Sequence, residues 1–230
     1  MTYKMYLMSI AGLEEECLQQ DAMCLLDSYR KEIVHMCKKE KDRMRAIVAG
    51  LLLRAGFYEI EPEGLFCRPI DVPDRMEPQT GKTIEGRCYI LDCKGFTAYL
   101  REYIQENHLL DEISYGKGIH GKPFWTEANW DGAGKNKKLQ HFNLSHSGDY
   151  AVLIVADKEV GVDIQEARKV KGIQEGYKAF SRMEAFVKCT GEGYACGSKA
   201  YEECGGELSG YLFLEFEIVD GYAINACFPC

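Results

Sequence analysis

The sequence predicts an α+β fold, antiparallel sheets with packed helices, and three observations predict it. Met44, Ile47, Val48, Leu51 and Leu52 recur at the spacing of one face of an amphipathic helix. Residues 142–165 hold three strand-length runs divided by short turns, the pattern of an antiparallel meander. Residues 211–219 and 222–228 flank Asp220-Gly221 and read as a closing hairpin.

Taken in order, Met1-Thr2-Tyr3-Lys4-Met5-Tyr6-Leu7-Met8 is a short alternating stretch that meets acid at Glu14-Glu15-Glu16. It lacks the long apolar region and small-residue cleavage site of a secretory signal. The helix around residues 44–52 follows, with Gly56 as its expected C-terminal cap. Residues 63–110 are punctuated by Pro and Gly, then carry a helix around 96–107. Loop signals crowd 115–134, among them Gly116, Gly118, Gly121, Pro123 and Asp131-Gly132. Phe142-Asn143-Leu144-Ser145-His146 alternates apolar and polar. Tyr150-Ala151-Val152-Leu153-Ile154-Val155-Ala156 is continuously apolar, and Val160-Gly161-Val162-Asp163-Ile164-Gln165 alternates again after a turn at Asp157-Lys158. A helix is expected over 181–188, with Ser181-Arg182-Met183-Glu184 matching a capping box.

Composition bounds the rest. A chain of 230 residues, 46% hydrophobic and 28% charged, makes one large globular domain or two small ones. No apolar run reaches the ~20 residues that span a bilayer, so a soluble, cytoplasmic, monomeric protein is expected. Eleven cysteines in scattered positions read as free, mostly buried thiols rather than a zinc site. The net charge is −8, yet residues 30–54 carry eight basic side chains against three acidic ones, and residues 116–141 carry five lysines against two. Two basic islands on an acidic chain suggest a local anion site rather than a nucleic-acid surface, the plainer alternative being a solvated charged face.

Asp163 and Gln165 lie two apart on a strand and so share a face, with Glu184 opening a helix later in the chain. Oxygen donors of this kind suit Mg²⁺, which takes one or two carboxylates with substrate phosphates and water. Glu184 has competing roles, as the capping-box carboxylate or as partner of Lys188 at i, i+4. Asn143-Leu144-Ser145-His146-Ser147-Gly148 offers donors that suit a phosphate. Ser145 and His146 point to opposite faces of a strand, which disfavours a hydrolase triad. Gly132-Ala133-Gly134-Lys135-Asn136 lacks the upstream glycine and the Ser/Thr of a P-loop and reads as a loop.

Gly121-Lys122-Pro123, Phe142-Asn143-Leu144-Ser145-His146-Ser147 and Val160-Gly161-Val162-Asp163-Ile164-Gln165 stand in that order. Phe180-Ser181-Arg182-Met183-Glu184-Ala185-Phe186-Val187-Lys188 comes after them, and Arg45 with Leu51-Leu52-Leu53-Arg54 before them. The ordered set resembles the surfactin-type 4′-phosphopantetheinyl transferases. The resemblance implies two pseudo-symmetric α/β halves with the active site at their interface. The halves would be residues 1–157, holding the coenzyme A contacts and an unassigned insertion near 63–110, and residues 158–230, holding the metal and the catalytic helix. It implies transfer of the 4′-phosphopantetheine group of coenzyme A to a serine of an acyl or peptidyl carrier protein, releasing adenosine 3′,5′-bisphosphate.

By matching position, Asp163, Gln165 and Glu184 would bind Mg²⁺, or Mn²⁺ in its place. Glu184 would take the serine proton and Lys188 would contact the transferred phosphate. Ser145, His146 and Arg45 would hold the 3′-phosphate, Arg54 belongs to the same coenzyme A set, and Lys122-Pro123 would border the adenine. Neither nucleic acid nor a membrane is implied as a partner. Two positions depart from the pattern: Gln165 stands where many members carry a carboxylate, and Met183 replaces the lysine that usually precedes the helix glutamate. They motivate an alternative, a coenzyme A-binding protein of this fold with reduced or lost transfer.

Overall fold

The computed structural model describes residues 1–70, 72, 75–76, 81, 83–109, 112–118, 120–126, 139–167, 176–204 and 208–230. The fold is α+β, as expected. Its main sheet runs in the order β2 (Cys67–Ile70), β4 (Thr83–Leu91), β1 (Thr2–Ser9), β8 (Tyr150–Ala156), β7 (His141–Ser147), with the short β3 (Arg75–Met76) also paired to β4. The sheet is mixed rather than purely antiparallel, because β1 and β4 run parallel, Tyr6 opposite Tyr89. A parallel pair needs a long crossover. Here α1 (Glu16–Cys24), α2 (Ser28–Met36) and α3 (Glu40–Phe57) lie between the two strands in the chain. Within residues 63–110, β2, β4 and α4 (Cys93–Glu106) contribute to the main sheet and its helical cover.

The apolar run of β8 is explained by burial on both faces. Ala151, Leu153 and Val155 pack with the helices on one side, and Val152, Ile154 and Ala156 pack toward a second sheet on the other. Each buried aliphatic side chain of this kind contributes roughly 1.5–3 kcal/mol. The second sheet has the order β10 (Tyr211–Phe216), β11 (Tyr222–Pro229), β9 (Gly161–Glu166). The closing hairpin therefore forms where the sequence put it, with Phe216 opposite Ile224.

The meander does not. β7 and β8 pair antiparallel, but β9 leaves for the second sheet and pairs with β11, Asp163 opposite Asn225. Both edges of β8 are already occupied, by β1 and by β7, so β9 cannot pair with β8. β9 instead meets β7 through side chains. Asn143 Oδ1 accepts from Val162 N at 3.0 Å, Ser145 Oγ from Ile164 N at 3.4 Å, and Ser147 Oγ from Glu166 N at 3.1 Å. Three alternate residues of one strand thereby satisfy three alternate amides of the other.

α5 (Gly176–Thr190) lies on the far face of the second sheet, followed by α6 (Tyr194–Glu203). Two local expectations need correcting. Gly56 is no cap. It sits inside α3 where a Cβ would press on Leu153 and Val155 of β8, and the left-handed residue past the helix is Glu59, φ 50°, with Ile60 N bonded to Ala55 O. Ser181 is no N-cap either, because α5 starts at Gly176. Its buried hydroxyl donates to Asp163 O at 3.1 Å and anchors the helix on β9. The cysteines are free, but only Cys88, Cys93, Cys189 and Cys227 are buried and five are exposed. The loop at Gly132–Asn136 and most of the second basic island lie outside the described residues. No helix among the described residues is long and apolar enough to cross a membrane.

Candidate active site

Gly161 decides how β9 and α5 meet. A Cβ there would overlap the backbone of Ala185 and Cys189, so the absent side chain lets the helix lie directly on the strand. Strand alternation then turns Asp163 and Gln165 toward the helix while Val162 and Ile164 enter the core between the sheets. Glu184 and Lys188, one helical turn apart, face the same space. Leu144, Ser145, His146, Asp163, Gln165, Phe180, Glu184 and Lys188 line one cleft of about 440 Å³.

At its floor is a closed triangle. Ser145 Oγ donates to Asp163 Oδ1 at 2.8 Å, Lys188 Nζ donates to the same Oδ1 at 2.6 Å, and Lys188 Nζ donates to Ser145 Oγ at 2.9 Å. Lys188 thus gives its ammonium to Asp163 and Ser145. Asp163 is 5% exposed, a buried residue within β9. Its second oxygen, Oδ2, is buried and has no hydrogen-bond partner. Directly opposite on β11, Asn225 is 2% exposed and its Nδ2 is likewise unpartnered. Such groups carry a desolvation cost that a bound polar ligand or water relieves.

Partial burial raises the Glu184 carboxyl above its ordinary value; Lys188 pulls it down and Asp163 pushes it up. Partial desolvation, with Arg45 and Lys188 nearby, lowers His146.

The donor set fits a hard divalent cation in one specific respect, a buried carboxylate oxygen left bare beside a second carboxylate and a neutral amide carbonyl. Three convergent His, Cys, Asp or Glu side chains are not found among the described residues, and in this cleft an amide, Gln165, accompanies the two carboxylates.

The other coenzyme A candidates lie at varying distances from this cleft. Arg45 reaches the β7–β8 turn, its Nε donating to Gly148 O at 3.0 Å and its Nη1 to Asp42 at 2.8 Å. Lys122 and Pro123 line a second hollow of about 690 Å³ with Phe124, Trp125, His141, Phe142 and Glu159. Its lining takes Phe142 from β7 and Cys189 from α5, and the first cleft takes Leu144 and Lys188 from the same two elements. The second hollow is walled by the hairpin of β5 (Tyr115–Lys117) and β6 (Pro123–Trp125). The Lys122 ammonium is held by Glu159 Oε2 at 2.7 Å, Val160 O at 3.2 Å and Cys189 O at 3.3 Å. Arg54 lines neither hollow. It is 3% exposed in α3, its Nη1 donating to Tyr58.

Sequence reasoning missed Asn143 and Ser147 as the joint between sheets, Asn225 beside Asp163, and Glu159 with His141. The first two were signalled by polar residues at every second position of a strand, and Asn225 by a lone amide in the apolar run Ala223-Ile224-Asn225-Ala226.

No protein-family model matches the chain. It is similar to the 4′-phosphopantetheinyl transferase psf-1 of Bacillus pumilus, 31% identical over 117 residues that cover 41% of this chain and 50% of that protein. The chain thus matches about half the length of this curated relative. The likeness carried by the sequence blocks is met again in this comparison.

Proposed function

We propose that this chain transfers the 4′-phosphopantetheine group of coenzyme A to a serine of an acyl or peptidyl carrier protein, releasing adenosine 3′,5′-bisphosphate. The observation that carries the reading is the bare, buried Oδ2 of Asp163 in a cleft shared with Glu184 and Lys188. The similarity to a transferase of that name supports it.

A divalent cation, Mg²⁺ or Mn²⁺, would supply charge neutralisation at the pyrophosphate when bound. Asp163 and Glu184, with the Gln165 carbonyl, are the residues that would hold it. Glu184 takes the carrier serine's proton, directly or through water. Without metal its carboxyl is raised by burial, the direction that suits a base. Lys188 sits one turn from Glu184 and stabilises charge on the attacked phosphate. The second hollow, lined by Pro123, Phe124 and Trp125, offers apolar and aromatic surface for the nucleotide base, and His146 of the first cleft, with Arg45 close to it, offers donors for phosphates. Holding both partners in line supplies much of the rate, about 7–11 kcal/mol in well-oriented cases.

In the same proposal the halves are residues 1–157 and 158–230, pseudo-symmetric, and the protein is a cytoplasmic monomer. In support of the division, β1–β8 fall before residue 157 and the second sheet after it. The test is incubation with coenzyme A, Mg²⁺ and several apo carrier proteins, read by mass. A phosphopantetheine-sized gain on a carrier supports transfer.

Gln165 favours a second reading, a coenzyme A-binding protein with reduced or lost transfer, since a neutral carbonyl replaces one metal-holding charge. Tight coenzyme A binding with no gain on any carrier would select it.

A further inference from the structure

We propose that Ser145 is a positioning residue that aims the Asp163 carboxylate, and not a contact to a phosphate of coenzyme A. The proposal rests on the metal-holding role given to Asp163 above.

Serine has one proton to give and two lone pairs to receive with. Ser145 Oγ gives its proton to Asp163 Oδ1 at 2.8 Å and receives from Lys188 Nζ at 2.9 Å and Ile164 N at 3.4 Å. All three capacities are in use. A phosphate oxygen needs a donor, and the only proton Ser145 owns already lies on a carboxylate.

Direction gives a second, independent argument. Asn143, Ser145 and Ser147 are alternate residues of β7, all buried, and all three accept from amides of β9. Ser145 is the middle member of that joint, so its side chain points into the contact between the sheets. His146, the next residue, is the one turned outward and exposed.

The consequence falls on Asp163. Two donors, Ser145 and Lys188, meet on Oδ1, and none meets Oδ2. Saturating one oxygen fixes the rotation of the carboxylate and leaves the other bare. Partners that orient a metal ligand in this way matter nearly as much as the ligand, and their loss costs about 10–100-fold in metal affinity or activity. With Ser145 gone, Lys188 alone would hold Oδ1, and the carboxylate would be free to turn Oδ2 toward the ammonium.

The experiment compares wild type, Ser145→Ala and Ser145→Thr. Mn²⁺ alone is titrated into each protein and free Mn²⁺ read by electron paramagnetic resonance. Coenzyme A binding is measured calorimetrically without metal, and a melting curve is recorded for each. Expected for Ser145→Ala are Mn²⁺ affinity lower by about 10–100-fold, coenzyme A affinity unchanged, and recovery of Mn²⁺ affinity in Ser145→Thr. Unchanged Mn²⁺ affinity with weakened coenzyme A binding would overturn the proposal in favour of a phosphate contact. A wild type that takes up no Mn²⁺ would overturn it too, as would an affinity loss that merely follows a fall in melting temperature and is not recovered by threonine. The transfer assay separates the two readings. A wild type that binds Mn²⁺, loses it on Ser145→Ala and modifies no carrier breaks the proposed function and leaves this inference standing.

Discussion

Two lysines in this chain are held by carboxylates at nearly the same distance, Lys122 by Glu159 at 2.7 Å and Lys188 by Asp163 at 2.6 Å. The pairs differ in what is left over. Both Glu159 oxygens have partners, Lys122 on one and His141 at 3.1 Å on the other, and Lys122 also meets two backbone carbonyls. That cluster is complete, and it ties the β5–β6 hairpin to the end of α5. At Asp163 both donors crowd one oxygen and the other is bare although buried. A saturated pair is a clasp, whereas an unsaturated one in a cleft is a seat for something else. Ion-pair distance alone does not distinguish them; the count of partners per oxygen does.

The largest effects should come from the unsaturated pair. Asp163→Ala is expected to abolish transfer while the protein still melts cooperatively, a single-turnover assay beside a melting curve being the check. Near-normal turnover at saturating Mg²⁺ would remove Asp163 from the metal. Glu184→Gln keeps shape and loses basicity, so the transfer rate should fall about 10²–10⁴-fold. Glu184 must be ionised to take a proton, and burial holds its proton to higher pH than usual. In the metal-free protein the Glu184 carboxyl should therefore titrate above the ordinary glutamate value of roughly 4.3, read by NMR. Titration at or below the ordinary value would withdraw burial as a support for the base role.

Gly161→Ala is the next effect, on packing. The added methyl meets helix backbone, which cannot rotate away, so a loss of about 1–3 kcal/mol is expected from chemical denaturation. It should be accompanied by weaker transfer, as α5 carries Glu184 and Lys188.

Glu159→Gln probes the clasp. The hydrogen bond from His141, with Lys122 beside it, lowers Glu159 from 4.5 to about 2. A depressed carboxyl stabilises the fold above its unfolded value and loses that contribution as pH falls through the folded one. The gap in melting temperature between wild type and variant should be full above pH 4.5 and close toward about pH 2. A gap independent of pH would show that packing, not charge, sets it. The smallest change is expected of Gln165→Glu, which supplies a further carboxylate and should raise Mn²⁺ affinity with transfer retained. Total loss of activity would give the Gln165 amide another task, such as donating to a phosphate.

The local elements were legible in the sequence where one physical cause dominated. β8 is apolar at every position because both of its faces are buried, and the closing hairpin follows from its turn pair. The order of the blocks also placed Asp163, Gln165, Glu184, Lys188, Ser145 and His146 together, and they share one cleft. What the sequence could not decide was the partner of each group. Whether β9 pairs with β8 depends on whether β8 has a free edge, which β1, more than a hundred residues earlier, determines. Whether Ser181 caps a helix or anchors one depends on where α5 begins relative to β9. Gly56 reads as a helix cap and Gly161 as one residue of an alternating strand, and both are in fact points of close approach between elements. Hydroxyls, ammonium groups and carboxylates hydrogen-bond to whatever lies within about 3 Å, and that neighbourhood is set by packing across the chain. The sequence by itself therefore determined which chemistry is present, and only the tertiary structure decided which oxygen of Asp163 is left bare to use it.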